Sequence, residues 1–186
     1  MSDTRLAEAM EAAARSVRHG VNNQMMVLLG NLDLLANKAE DGSPAARQIG
    51  RAREAADRMA GLLGAYLALP RDAGVAKVRP RAALAALLPL LESAAGRGVS
   101  LEGSPEGVVA WPRPELPLAL LGWAMEAEAA RAAGAVVPGL VLHVAGGNQG
   151  LSLAPEPPPR DGAAFATAAT AAGGAWDGTT LRLPGA

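Results

Sequence analysis

The N-terminal part of the chain has the apolar spacing of a long amphipathic helix. From Asp3 to about Lys38, apolar side chains recur every three or four residues, as expected for a helix with one buried face. These positions are Leu6, Met10, Ala14, Val17, Val21, Met25, Leu28, Leu32 and Leu35. The helix should end near Gly42, which suits the residue after a helix end, while Ser43 can cap a second helix and Pro44 fits its first turn.

A second helix of the same kind is predicted from about residue 45 to 69, and Pro70 marks its end. Its inward positions are Ile49, Ala52, Ala56, Met59, Leu63 and Tyr66. Two antiparallel helices leave part of each apolar stripe exposed to solvent, so the hairpin needs a further element to pack against. We expect two hairpins to form a symmetric four-helix bundle in a homodimer, since twofold symmetry is the commonest arrangement of soluble oligomers. Packing of the hairpin against the rest of the same chain is the alternative.

After Pro70 the pattern changes to short, mixed elements separated by glycine and proline. Helices are predicted at residues 80–95, 115–133 and 163–172. Strands are predicted at 99–102, 108–111, 140–144, 150–154, 175–177 and 179–183. The chain is therefore predicted to be α+β, with a helical hairpin at residues 1–70 and a small α/β sandwich at 71–186.

The net charge and the amino-acid composition argue against several functional classes. The formal net charge of -1 provides no field that would attract nucleic acid or an anionic membrane. There is no cysteine, so a disulfide scaffold and a thiolate metal site are excluded. No signal peptide or membrane-spanning run is recognisable, and we expect a cytoplasmic protein that binds neither nucleic acid nor membrane.

His19 is the candidate functional residue of the first helix. With about 100° per residue, the apolar stripe falls on the side of the helix opposite His19. An exposed imidazole is substantially neutral at cellular pH, as a nucleophile toward phosphorus must be. Arg15, Asn23, Met26 and Gly30 fall within about 40° of the histidine by the same arithmetic. Met26 and Gly30 provide a flat, partly apolar strip against which a partner helix could pack.

The residues around His19 carry a family resemblance. The segment His-Gly-Val-Asn-Asn at 19–23, followed by Val-Leu-Leu-Gly-Asn-Leu-Asp-Leu-Leu at 27–35, resembles the phosphoacceptor box of sensor histidine kinases. The resemblance implies that His19 accepts a phosphoryl group on the first helix of a dimerisation and phosphotransfer hairpin. Members of that family have an acidic residue directly after this histidine, whereas this chain has Gly20. Self-phosphorylation should therefore be poor.

The second half resembles the ATP-binding domain of the same family, with the nucleotide site lost. Residues 120–127 stand at its asparagine box, and Glu126 occupies the position of a magnesium-binding asparagine. A carboxylate there is poorly suited to triphosphate oxygens. The predicted strand 140–144 is followed by Ala-Gly-Gly-Asn, without the aspartate that recognises adenine in that family. The loop that covers the nucleotide in the family is reduced here to the proline run at 157–159.

Together these features resemble dimeric bacterial histidine phosphotransferases, which are built like a kinase core without a nucleotide site. The resemblance implies that His19 relays phosphoryl groups between the aspartates of response-regulator receiver domains. The chain would bind no ATP, cofactor or metal, and Mg²⁺ would come from the receiver. Arg15, Asn22, Met26 and Gly30 would contact the partner.

Asn23 has a second possible role under the same resemblance, because its amide could orient water toward an aspartyl phosphate. The alternative function is accordingly a pseudokinase binding module that sequesters or dephosphorylates a response regulator. His143 alternates with apolar residues in a predicted strand and has no acidic or histidine partner near it in sequence, so it is assigned no role.

Overall fold

The computed structural model describes residues 3–69, 72–147 and 149–186; within the first helix, the side chains of residues 3–16 and of Arg18 lie outside the described part. The chain separates into two compact units, Met1–Ala68 and Leu69–Ala186. Within the described residues, five helices and a mixed sheet confirm the predicted α+β class.

The first unit consists of two helices in contact, α1 (Asp3–Ala36) and α2 (Pro44–Ala68). Between them, Gly42 takes a positive φ of 74°, and the hydroxyl of Ser43 accepts a hydrogen bond from the N–H of Ala46 at 3.1 Å. Ser43 therefore caps the second helix, as predicted, whereas Gly42 lies in the turn, six residues after α1 ends at Ala36, and not directly after the helix. Asp33 on α1 forms an ion pair with Arg53 on α2.

Among the described side chains of this unit, one residue of α1 and three residues of α2 are buried. Met25 is only 7% exposed, and the buried residues of α2 are Ala56, Ala65 and Leu67. Many other apolar side chains of the two helices remain exposed in the single chain. They are Val17, Met26, Val27, Leu28, Leu34, Leu35, Met59 and Tyr66.

The second unit begins with a strand that the sequence analysis did not predict, β1 (Gly74–Val78). Its other strands are β2 (Val99–Glu102), β3 (Val109–Arg113), β4 (Leu140–Gly147), β5 (Gly150–Glu156), β6 (Ala175–Trp176) and β7 (Leu181–Pro184). Strands β1 and β3 form an antiparallel pair, and the other five form a sheet in the order β2-β4-β5-β7-β6. Strand β2 runs parallel to β4, and the remaining pairs are antiparallel.

Three helices accompany these strands: α3 (Pro80–Ala95), α4 (Glu115–Ala132) and α5 (Ala163–Ala171). Helix α4 contacts both α3 and α5. The core of the unit combines inward residues of the sheet, such as Leu142 and Leu153, with Leu91, Leu120 and Phe165 from the helices. Alternate residues of β4 and β5 are buried, which leaves the intervening side chains on the other face of the sheet.

Within the described part of the chain, the helices are too short or too polar to cross a membrane.

Candidate functional site

His19 lies on α1 with its side chain exposed. Met25 is buried, and Val21, Leu29 and Leu32 are half-buried. With about 100° per residue, these four point between about 80° and 160° away from His19 around the helix. The amphipathic pattern of α1 therefore turns the imidazole away from the packed side of its own unit.

The residues expected to accompany His19 share its exposure. Asn22, Asn23 and Met26 are exposed, with 72% of the Met26 side chain accessible. A Cβ added to Gly30 would meet no atom within 4 Å, so the surface there is open. Arg15 belongs to α1, but its side chain lies outside the described residues.

Two further apolar side chains extend this surface, and the sequence analysis did not single them out. Val27 is 60% exposed and Leu34 is 59% exposed. On the helical wheel they fall about 80° and 60° from His19, on the side of Asn23. The same arithmetic that placed Met26 could have found them. We call Asn23, Met26, Val27, Gly30 and Leu34 the outer strip.

A second exposed apolar surface lies on the other side of α1. Val17, Leu28 and Leu35 fall about 160° to 180° from His19 and are each at least 40% exposed. On α2, Met59 and Tyr66 are also exposed and are seven residues apart, which puts them on one side of that helix. We call these five residues the apolar seam.

In the second unit, helix α4 is tied to the loop that follows β5. The indole Nε1 of Trp123 donates to the carbonyl of Pro157 at 2.7 Å, and the backbone N–H of Arg160 donates to Oε2 of Glu126 at 3.0 Å. The cleft beside these contacts measures about 200 Å³. Its lining consists of Trp123, Glu126, Ala127, Ala130, Ala135, Val136, Val137, Pro138, Pro157, Pro158 and Arg160.

His143 has two acidic neighbours, contrary to what its sequence surroundings indicated. Its Nδ1 lies 3.2 Å from Oε2 of Glu102 on β2, and its Nε2 lies 2.8 Å from Oε2 of Glu156 on β5. Both carboxylates come from strands that flank β4 in the sheet. Sequence proximity could not reveal them, because the strand order sets the neighbours of His143.

The two ring nitrogens of His143 point to different carboxylates, so the three side chains do not converge on one point. Among the described residues, no group of three or more histidine and acidic side chains could hold a metal ion.

Comparisons with known proteins add little to this geometry. No family model matches the chain, and no curated protein matches it. Among solved structures, a crystal structure of full-length ShkA in complex with AMPPNP matches with 15% sequence identity and a TM-score of 0.37. The match covers 92% of this chain and 44% of that chain, so this chain spans less than half the length of ShkA. A similarity of this size does not establish a shared fold.

Proposed function

We propose that the protein is a histidine phosphotransfer protein, in which His19 relays phosphoryl groups between the aspartates of response-regulator receiver domains. The observation that carries this proposal is the exposed imidazole of His19 on the side of α1 that faces away from Met25 and Leu32. An aspartyl phosphate on a visiting domain could reach a ring nitrogen there without any rearrangement of the two helices.

The transfer needs only one nucleophile from this chain. The lone pair of a ring nitrogen attacks phosphorus, the bond between phosphorus and the aspartyl oxygen breaks, and the carboxylate leaves with the electron pair. The reverse step on a second receiver returns the imidazole to its free form. Because such transition states are loose, positioning and charge stabilisation provide most of the catalysis. In this proposal the receiver contributes the Mg²⁺.

The outer strip would provide the positioning. Met26, Val27 and Leu34 expose apolar surface next to His19, and Gly30 leaves room for a partner side chain between them. Exposed apolar side chains that are contiguous on one helix face are typical of a docking surface. Arg15 and Asn22 would lie at its margins.

We further propose that the protein is a homodimer formed through the apolar seam. Exposed apolar residues on both α1 and α2 are the feature that a four-helix bundle would cover. The seam and the outer strip are on different sides of α1, so a dimer would leave His19 accessible in each subunit.

The proposal excludes ATP as the phosphoryl donor. The cleft between α4 and the loop after β5, where the resemblance to a kinase would place a nucleotide, measures about 200 Å³, below the usual 300 to 1,000 Å³ of ligand pockets. Pro157, Pro158 and Pro159 have no backbone N–H to offer a phosphate. Glu126 would add negative charge beside a triphosphate, and its Oε2 already accepts a hydrogen bond from Arg160.

The test is transfer from a receiver domain labelled with ³²P on its aspartate. We expect acid-labile label to move onto this chain, to be lost in His19→Gln, and to persist in His143→Gln, which alters the other of the two histidines. Label that stays on every receiver tested, or that reaches His19→Gln equally, would contradict the proposal. Labelled ATP alone should leave the chain unlabelled.

A pseudokinase module that only binds or dephosphorylates a receiver is the second candidate, because Asn23 is exposed on the same side of α1 as His19. Under that function, receiver dephosphorylation would continue in His19→Gln and stop in Asn23→Ala. Under the relay, His19→Gln abolishes movement of the label.

A further inference from the structure

The second unit contains a cleft at the start of α3 that is larger than the one beside α4. It measures about 690 Å³ and is lined by Arg79, Arg81, Ala82 and Ala85, together with residues 105–108, which precede β3. This volume falls within the roughly 300 to 1,000 Å³ that is usual for ligand sites. We call it the α3 cleft.

Small and apolar side chains form much of the lining of the α3 cleft. Ala82 and Ala85 are three residues apart, so they lie on the same side of α3. Val108 adds an apolar side chain that is 37% exposed. Because an alanine side chain reaches no further than its Cβ, the two alanines leave room for the apolar body of a ligand.

The charged side chains of the α3 cleft are not neutralised by one another or by their neighbours. Arg79 and Arg81 are exposed, and in the part of the chain that the structure describes neither forms an ion pair. Asp72, the acidic residue that precedes them in sequence, is already paired with Arg113 at 2.8 Å. Glu106 brings a negative charge to the lining and is likewise unpaired there. The lining therefore carries an excess of one positive charge.

We propose that the α3 cleft binds a small amphiphilic anion, with its carboxylate or phosphate group at Arg79 and Arg81 and its apolar body against the two alanines and Val108. A guanidinium can donate two parallel hydrogen bonds to such a group, and its charge is constant across the physiological pH range. The excess positive charge favours an anion over a neutral molecule of the same shape, while Glu106 limits the affinity. The site is formed entirely by the second unit, so it goes beyond the proposed role of His19.

The experiment is a titration of the intact protein with octanoate, followed by the ¹H–¹⁵N shifts of its backbone amides. We expect the largest shifts at Arg81, Ala82, Ala85 and Gly107, and binding at least about fivefold tighter than that of octanol, which has the same chain without the charge. The difference between the two probes should shrink in about 0.5 M NaCl, because salt screens exposed charges. A parallel titration with octyl phosphate shows which of the two anionic groups the arginines prefer.

Matched variants separate the α3 cleft from other exposed apolar surfaces. Arg79→Gln together with Arg81→Gln should weaken octanoate binding at least about fivefold and leave octanol binding unchanged, whereas Glu106→Gln should tighten octanoate binding about twofold. Arg51→Gln, which removes an exposed arginine of α2, should change neither. Equal binding of octanoate and octanol, shifts confined to other residues, or undiminished octanoate binding in the double variant would overturn the proposal. Thermal unfolding confirms that each variant is folded, and no step of the test involves phosphotransfer.

Discussion

The indole of Trp123 donates a hydrogen bond to the carbonyl of Pro157, which fastens helix α4 to the loop after β5. Trp123 is only 2% exposed, so this bond is made away from water by a donor that would otherwise be unsatisfied. Together with the contact between Glu126 and the N–H of Arg160, it fixes both ends of the proline-rich segment to one helix.

Trp123→Phe should lower the free energy of unfolding by about 1 to 3 kcal/mol, because the substitution leaves the carbonyl of the half-buried Pro157 without its donor and removes part of a buried ring. Urea unfolding followed by circular dichroism measures this change. Trp176→Phe is the control, because it replaces a half-buried indole and leaves the link between α4 and the loop intact. The ring of Trp176 stacks on that of Phe165, with the ring centroids 4.9 Å apart. If Trp123→Phe unfolded at the same urea concentration as the unaltered protein, the hydrogen bond between Trp123 and Pro157 would not contribute to stability.

Substitutions on the two exposed surfaces of the helix pair should have separable effects. Met59→Glu together with Tyr66→Glu should convert a dimer into a monomer, because a charge buried in an apolar interface is costly. Light scattering after size exclusion measures the mass. Met26→Glu should leave that mass unchanged and slow transfer of label from a receiver at least about tenfold, which corresponds to about 1.4 kcal/mol in the free energy of activation. A monomeric Met26→Glu would mean that the outer strip belongs to the dimer interface.

The turn between β6 and β7 should weaken in acid. Asp177 accepts hydrogen bonds from the backbone of Thr180 and Thr179 and from the hydroxyl of Thr179, and these hold its pKa well below the ordinary value of 3.8, with Arg182 adding to the effect. A lowered pKa in the folded state means that the carboxylate stabilises the fold at neutral pH. This contribution begins to decline as pH falls below about 4, where the carboxyl of the unfolded chain takes up a proton, and it is lost as pH approaches the lower pKa of the folded state.

Asp177→Ala should consequently melt at a lower temperature than the unaltered protein at pH 7, and the two should converge toward pH 2. Calorimetry across that range measures the difference. Asp177→Asn keeps an acceptor oxygen for the threonine donors and should lie between them. A constant difference in melting temperature at every pH would show that the charge of Asp177 has no part in the stability of the turn.

Gly103 and Gly122 should respond in opposite directions to alanine. Gly103 has a φ of +106°, and a Cβ at this residue would overlap the carbonyl oxygen of Val144, so Gly103→Ala should cost at least about 2 kcal/mol. Gly122 lies inside α4, where a Cβ would meet no atom within 4 Å, so Gly122→Ala should stabilise by about 0.5 to 1 kcal/mol. Chemical unfolding of both variants gives the comparison. Similar losses in both would contradict the assigned geometry.

Local sequence signals predicted most of the helices and strands. Helix α3 begins and ends where Pro80 and the apolar period place it, and Gly96 adopts the positive φ that a helix terminus favours. Strand β1 was missed because Gly74–Val78 is short and largely exposed, and its pairing with β3 joins segments far apart in sequence. Alternation of buried and exposed residues cannot be recognised in a strand that buries so little.

The positions of the candidate site residues on α1 could be predicted from the sequence, whereas the neighbours of His143 could not. Helical periodicity alone places His19, Asn23 and Met26 on one side of α1, because neighbours on a helix face are set by local geometry. The neighbours of His143 depend instead on which strands lie beside β4. The parallel pairing of β2 with β4 passes over β3 and α4, and no local pattern encodes that crossover.

The abrupt turn at Gly103 also limits how this protein can associate with itself through its backbone. The chain leaves the sheet directly after Glu102, so the edge strand β2 offers four residues and the edge strand β6 on the opposite side offers two. Short edges that end in a charge are poor templates for intermolecular strand pairing. These two edge strands should therefore be poor starting points for fibril growth even when the protein is concentrated.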